Sequence, residues 1–166
     1  MDPQVRRTLL HVARRLEGAD VAFSLGGSGL LWALGLADDV GDLDVMLPAE
    51  AESAALAALA SGPVSVDRDG TELWATAWFA TIELSGVDVD LLGGMALRHD
   101  GGIARLDHRP YGWVDVDGHP VPYADPAGWW VIYRAYKPAK AALLEEVVGP
   151  RRRAQRRDEL GLPHDW

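Results

Sequence analysis

The chain has 166 residues, no Cys, 48% hydrophobic and 25% charged residues. That size suits one domain of about 100–200 residues that needs no disulfide or structural zinc. Zero Cys excludes a disulfide framework, a thiolate metal site and a Cys nucleophile, and suits a reducing, cytoplasmic setting. The net charge is −9, and five Arg against Asp158, Glu159 and Asp165 make residues 151–166 net +2, which leaves −11 on the first 150 residues. Such a balance lacks the basic footprint of a general nucleic-acid binder. It favours a cationic partner or carboxylates gathered around metal ions.

Leu9, Leu10, Val12, Ala13 and Leu16 recur at helical spacing, with Gly18 as a stop. Val21–Leu25 is a short apolar run that reads as a buried strand, and Leu30–Leu36 as the next helix. The 17 uncharged residues Val21–Ala37 contain Gly26-Gly27-Ser28-Gly29. They read as strand, turn and helix, so no membrane span is expected. Asp42–Leu47 alternates at strand period, and Ala49–Ala60 is helical up to Gly62-Pro63. Ala75–Leu84 and Val87–Leu92 read as strands joined at Ser85-Gly86. From Met95 to Pro122 the chain is rich in Gly, Pro and His. Val114–Val116 and Val121 flank Asp117-Gly118 there, a hairpin signal. Asp125-Pro126 opens a helical pattern that runs to Val148 and should break at Pro138. The segment Gly149–Trp166 is a basic tail, a short helix or an irregular end, appended to a domain of residues 1–148. This order predicts an α/β (α+β) sandwich, a mixed β-sheet flanked by helices.

Three motifs carry the chemistry. Gly26-Gly27-Ser28 lies between a strand and a helix. Glycines let backbone approach a ligand, and a helix start offers free N–H groups to phosphate. Ser28 is placed to cap that helix and donate to a phosphate oxygen. Alone, such a turn is more often only a turn. Asp42-Leu43-Asp44 on a strand puts two carboxylates on one face while Leu43 and Val45 face the core. Two like charges this close repel unless a cation sits between them. Magnesium is held in this way, by a few carboxylates and substrate phosphates. Gly86-Val87-Asp88-Val89-Asp90-Leu91-Leu92 repeats the alternation on what reads as an inner strand.

The order is Gly-Ser, 13 intervening residues, Asp-x-Asp, and a later strand Asp. It resembles the nucleotidyltransferase superfamily of the DNA polymerase beta type. The residues carrying the resemblance are Leu25-Gly26-Gly27-Ser28, Asp42-Leu43-Asp44-Val45 and Val89-Asp90-Leu91, within about residues 20–95. The compact size is similar to minimal members such as aminoglycoside and lincosamide nucleotidyltransferases and the nucleotidyltransferase halves of toxin–antitoxin pairs. The resemblance implies a nucleotidyltransferase-like fold. It implies that Gly26, Gly27 and Ser28 hold a nucleoside triphosphate (NTP), with ATP the expected donor. Asp42, Asp44 and Asp90 would ligate two Mg²⁺ ions and serve catalysis, with Asp88 the alternative third carboxylate on the same face. Tyr136-Lys137 followed by Arg156-Arg157-Asp158 is similar to the family's later Lys and basic-Asp elements, so Lys137 or Lys140 would contact the triphosphate. The implied reaction moves a nucleoside monophosphate to a hydroxyl and releases pyrophosphate.

The acceptor stays open: a small cationic molecule, RNA met by Arg151–Arg157, or a partner protein. A homo-oligomer is compatible with the sequence. The alternative is a nucleotidyltransferase-fold protein that binds a nucleotide or a partner, as a toxin–antitoxin component, without catalysis. Trp74, Trp78, Trp129 and Trp130 read as core packing, with base stacking by one of them the other possibility. His99 and His108 are candidates to line a cleft.

Overall fold

The computed structural model describes residues 1–164 and Trp166. The first helix, α1 (Pro3–Gly18), starts where Asp2 accepts from the Gln4 amide and Pro3 needs no amide partner. Its buried stripe is Val5, Leu9, Val12, Ala13 and Leu16. Next come β1 (Ser24–Leu25), α2 (Gly27–Ala33) and β2 (Leu43–Leu47), then a 3-10 turn (Ala49–Ala51) leading into α3 (Glu52–Leu59). The strands β3 (Trp78–Leu84), β4 (Val87–Gly93), β5 (Ala96–His99), β6 (Gly102–Arg105), β7 (Gly112–Val116) and β8 (His119–Tyr123) follow. The chain closes with α4 (Pro126–Tyr136), α5 (Pro138–Glu145) and α6 (Pro150–Glu159).

Six strands form one sheet in the order β3-β4-β2-β1-β8-β7, and β5 pairs with β6 in a separate hairpin. β2 runs parallel to β4 and β1 parallel to β8, while β1/β2, β3/β4 and β7/β8 are antiparallel. The sheet is therefore mixed and flanked by helices, as the patterning predicts. Side-chain alternation divides it into two apolar layers. Leu43, Val45, Leu47, Val89 and Leu91 pack with α1 and α3. Met46 and Leu92 face the other way, towards Trp129, Ile132 and Tyr133 of α4 and Leu144 of α5. By the same alternation Asp42, Asp44, Asp88 and Asp90 project on the α4 side. No helix of the described residues is long and apolar enough to cross a membrane.

Several expectations need adjustment. The ladder in Val21–Leu25 is only Ser24–Leu25, because the Val21 amide closes the end of α1 on Leu16. The strand expected from Ala75 begins at Trp78. Trp74 bridges to Leu97 and the Ala75 amide donates to Ala96, so this stretch pairs with β5 first. The hairpin β5–β6 lies in the stretch read only as Gly-, Pro- and His-rich. Ser85-Gly86 and Asp117-Gly118 take positive φ at both positions, as type I′ hairpins require. Pro138 does split the last long helix, at Lys137. Residues 150–159 are helical, and α6 packs on α4. Arg152 and Arg156 reach Asp125 at 3.0 and 3.3 Å, and Leu160 and Leu162 are buried with the α4 cluster.

Candidate active site

A cleft of about 440 Å³ opens on the α4 side of the sheet. Its floor is β2 and β4, one wall is the segment from Asp67 to Thr76, and the other is α4 with the start of α5. Asp42, Asp44 and Asp90 line it, together with Trp74, Tyr133, Tyr136, Lys137 and Lys140. Asp44 and Asp90 are register partners on adjacent parallel strands. Asp88 lies on the same face but stands exposed opposite Glu83 and does not line the cleft. The structure thus brings Asp90, rather than Asp88, to Asp42 and Asp44.

The Gly-Gly-Ser turn meets the Asp-x-Asp strand directly. The Gly26 amide donates to the Asp44 carbonyl at 2.8 Å, so that amide belongs to the sheet. A Cβ on Gly26 would overlap the Trp129 ring. Gly27 takes φ +52°, and a side chain there would collide with the Asp44 carboxyl. Both glycines are required by close approach, not by chain flexibility. The helix start is capped by Gly26, not Ser28 as expected. Ser28 lies inside α2, and its hydroxyl donates to Asp42 Oδ1 at 3.2 Å. Thr81 holds Asp90 Oδ1 at 2.6 Å across β3 and β4.

The electrostatics follow from burial and like charge. Burial, then Asp42, then Asp90 push the Asp44 carboxyl up to about 7, against the opposing pull of Lys137 and Lys140. Asp90 is also raised, by burial first, with the Thr81 hydrogen bond pulling the other way. Burial and the neighbouring Asp44 carboxylate raise the Tyr133 phenol far above its ordinary value. Lys137 sits at the break between α4 and α5 with Nζ 4.9 Å from the Tyr136 ring centre, and Lys140 Nζ is 5.5 Å from that of Tyr133. Tyr136 in turn meets Trp74 edge-on at 5.3 Å. The cleft therefore pairs an acidic floor with two ammonium groups laid on tyrosine faces.

Hard carboxylate oxygens, charged against one another and converging on one cleft, are a donor set that suits Mg²⁺. They do not form a ready-made cage. Among the described residues, no group of three or more His, Asp or Glu side chains is placed to hold a cation as it stands.

Other expected site residues lie elsewhere. His99 packs on Trp166 and accepts from the Gly101 amide, and His108 lies beside Asp107. Neither lines the cleft. Arg156, Arg157 and Asp158 also stay outside it. Arg152, Arg153, Arg156 and Arg157 are ion-paired with Asp125, Glu145, Glu159 or Asp158. Trp78, Trp129 and Trp130 are core residues. Tyr133 carries no signal in the sequence, because its helical spacing from Trp129 looks like an ordinary core stripe, and Tyr136 is readable only as the neighbour of Lys137.

No protein-family model matches the chain, and no curated protein matches it by sequence. Solved structures do match. TM1012 of Thermotoga maritima, a candidate nucleotidyltransferase, superposes with a TM-score of 0.69 at 19% identity over 89% of this chain and 94% of its own. The antibiotic-resistance factor ANT(2'')-Ia matches with a TM-score of 0.64 at 13% identity over 96% of this chain and 92% of its own. The lincosamide antibiotic adenylyltransferase LnuA, solved with lincomycin, matches with a TM-score of 0.56 at 12% identity over 85% of this chain and 96% of its own. The chain has the nucleotidyltransferase fold. At these identities the likeness establishes the fold alone.

Proposed function

We propose that the protein is a Mg²⁺-dependent nucleotidyltransferase that moves a nucleoside monophosphate, AMP from ATP first, to a hydroxyl acceptor and releases pyrophosphate. The observation that carries this reading is the convergence of Asp42, Asp44 and Asp90 on one cleft, beside Gly27 and Ser28 and across from Lys137 and Lys140. Asp42, Asp44 and Asp90 would hold the metal. When bound, Mg²⁺ supplies charge neutralisation for the triphosphate and polarises the reacting oxygens. The acceptor oxygen bonds to the α-phosphorus as the bond from that phosphorus to the pyrophosphate oxygen breaks. The acceptor's proton passes to Asp90, the least buried of the two raised carboxyls, or onward to water. Gly27 gives the phosphates close access, and Ser28 fixes the Asp42 carboxylate. Lys137 and Lys140 balance phosphate charge. No covalent enzyme intermediate is needed, since positioning and charge carry such a transfer.

The acceptor read best from the charges is a small molecule. Among the described residues, Lys137 and Lys140 are the only basic side chains lining the cleft, and four arginines of α6, Arg152, Arg153, Arg156 and Arg157, are held in internal pairs. The test is calorimetric titration of each NTP with Mg²⁺ into wild type and Asp42→Asn/Asp44→Asn. It is followed by pyrophosphate release against an acceptor panel. Metal-dependent binding of one triphosphate that the double variant loses supports the reading. Binding without release above the double variant's level moves the protein to the non-catalytic, nucleotide-binding alternative.

A further inference from the structure

Among the described residues, the Tyr133 hydroxyl has no partner. The residue is 1% exposed, and its Oη is buried with no hydrogen bond among the described residues. Such groups are uncommon, because an unpaired buried hydroxyl costs about 1–3 kcal/mol. It is not stranded in apolar core. Tyr133 lines the cleft, and the charge nearest in effect on its hydroxyl is Asp44, followed after Tyr136 by Asp42. Asp44 has the complementary deficiency. Its neighbours Asp42 and Asp90 each have a carboxylate oxygen held by a hydroxyl, from Ser28 and Thr81. The Asp44 carboxylate accepts no hydrogen bond from any described residue, and Gly27 closes the space against it. Among the described residues, a buried donor without an acceptor and a half-buried acceptor without a donor thus line the same cleft.

We propose that Tyr133 is a positioning residue for Asp44: when a divalent cation takes one Asp44 oxygen, the Tyr133 hydroxyl donates to the other and fixes the carboxylate's orientation. This rests on reading the three carboxylates as cation ligands. It completes a pattern in which each of them is steadied by one hydroxyl, Ser28 for Asp42, Thr81 for Asp90 and Tyr133 for Asp44. Ligating carboxylates are commonly held by such outer partners, whose loss weakens metal binding about 10–100-fold.

The test uses the full chain, with Mn²⁺ as the probe read by electron paramagnetic resonance in the presence of α,β-methylene-ATP. Wild type, Tyr133→Phe, Asp44→Asn and the double variant are compared, with thermal unfolding of each in EDTA. The expected result is a Tyr133→Phe protein as stable as wild type in EDTA, since no bond is lost there, with Mn²⁺ bound about ten-fold more weakly. In the Asp44→Asn background the same change should weaken Mn²⁺ no further. A drop of several degrees in EDTA would show that the hydroxyl is already partnered, and overturns the proposal. So does unchanged Mn²⁺ affinity, or an equal loss with and without Asp44. If wild type and Asp44→Asn bind Mn²⁺ equally poorly, the cation reading itself fails and the role of Tyr133 goes with it. Wild-type binding that Tyr133→Phe leaves intact removes the Tyr133 role alone.

Discussion

Replacing Asp44 by Asn should make the metal-free protein more stable at pH 8 and leave it unchanged at pH 4. Asp44 sits at about 7 instead of its ordinary 3.8, mainly because it is buried and then because Asp42 and Asp90 are near. A carboxyl raised on folding binds its proton more tightly in the folded chain than in the unfolded one. Its cost to stability is therefore absent below pH 3.8, grows between 3.8 and about 7, and is complete above 7. At ~1.36 kcal/mol per pH unit, that interval sets an upper bound of about 4 kcal/mol. For a domain of this size, ~1 kcal/mol moves the midpoint of thermal unfolding by about 2–4 °C. Asn keeps the shape and removes the charge, so its gain over wild type should rise across that interval, to at most about 8–16 °C. The assay is urea and thermal unfolding of both proteins in EDTA, in half-unit steps from pH 4 to 8.5. Saturating Mg²⁺ should then raise wild type towards the variant while leaving the variant nearly still. Parallel pH profiles for the two proteins would refute the reasoning, since Asp44 would then carry no uncompensated charge.

Gly27→Ala should cost about 2–5 kcal/mol, from the left-handed backbone and the collision with the Asp44 carboxyl together, read from urea midpoints. In a transfer assay Asp90→Asn should lose at least about 10²-fold in kcat, by analogy with loss of one charge-stabilising group. Asp88→Asn should stay within a few-fold, and the opposite ranking would reassign the third carboxylate. Arg156→Ala should destabilise by about 1.5–3 kcal/mol, because Arg156 and its partner Asp125 are both only 14% exposed. An Arg156→Ala protein of unchanged stability that lost RNA affinity would instead restore α6 as a docking surface.

Much of this site was legible because it depends on period two. Strand alternation alone places Asp42 with Asp44, and Asp88 with Asp90, opposite Leu43, Val45, Val89 and Leu91. It cannot choose between Asp88 and Asp90. That choice is made by the parallel register that sets Asp90 beside Asp44, a long-range fact. The β5–β6 hairpin was hidden because Arg98, His99 and Arg105 interrupt its apolar side. The remaining signal, Ala96 and Leu97 against Ala104 and Leu106 around Asp100-Gly101, is short. Arg152 and Arg156 looked free for phosphate because Asp125, their partner, is more than 25 residues away in sequence. Lys140 reaches the cleft from α5, beyond the break at Lys137-Pro138 that ends α4. A break is readable there, but its direction is not.

The two faces of the sheet explain why the cleft falls where it does. On one side α1 and α3 seal an apolar layer over Leu43, Val45, Val89 and Leu91. On the other, α4 covers Met46 and Leu92 but stops at Tyr136, beside the carboxylates. Had that face been closed as tightly, Asp42, Asp44 and Asp90 would have been buried without water, at a cost that folding rarely bears. Open as it is, the face leaves Asp44 partly desolvated and its charge only partly offset by Lys137 and Lys140. The strain is local, sits beside Gly27 and Tyr133, and has a sign that a divalent cation relieves. On the proposed reading, Asp44→Asn should raise the stability of the metal-free protein and lower its affinity for the cation.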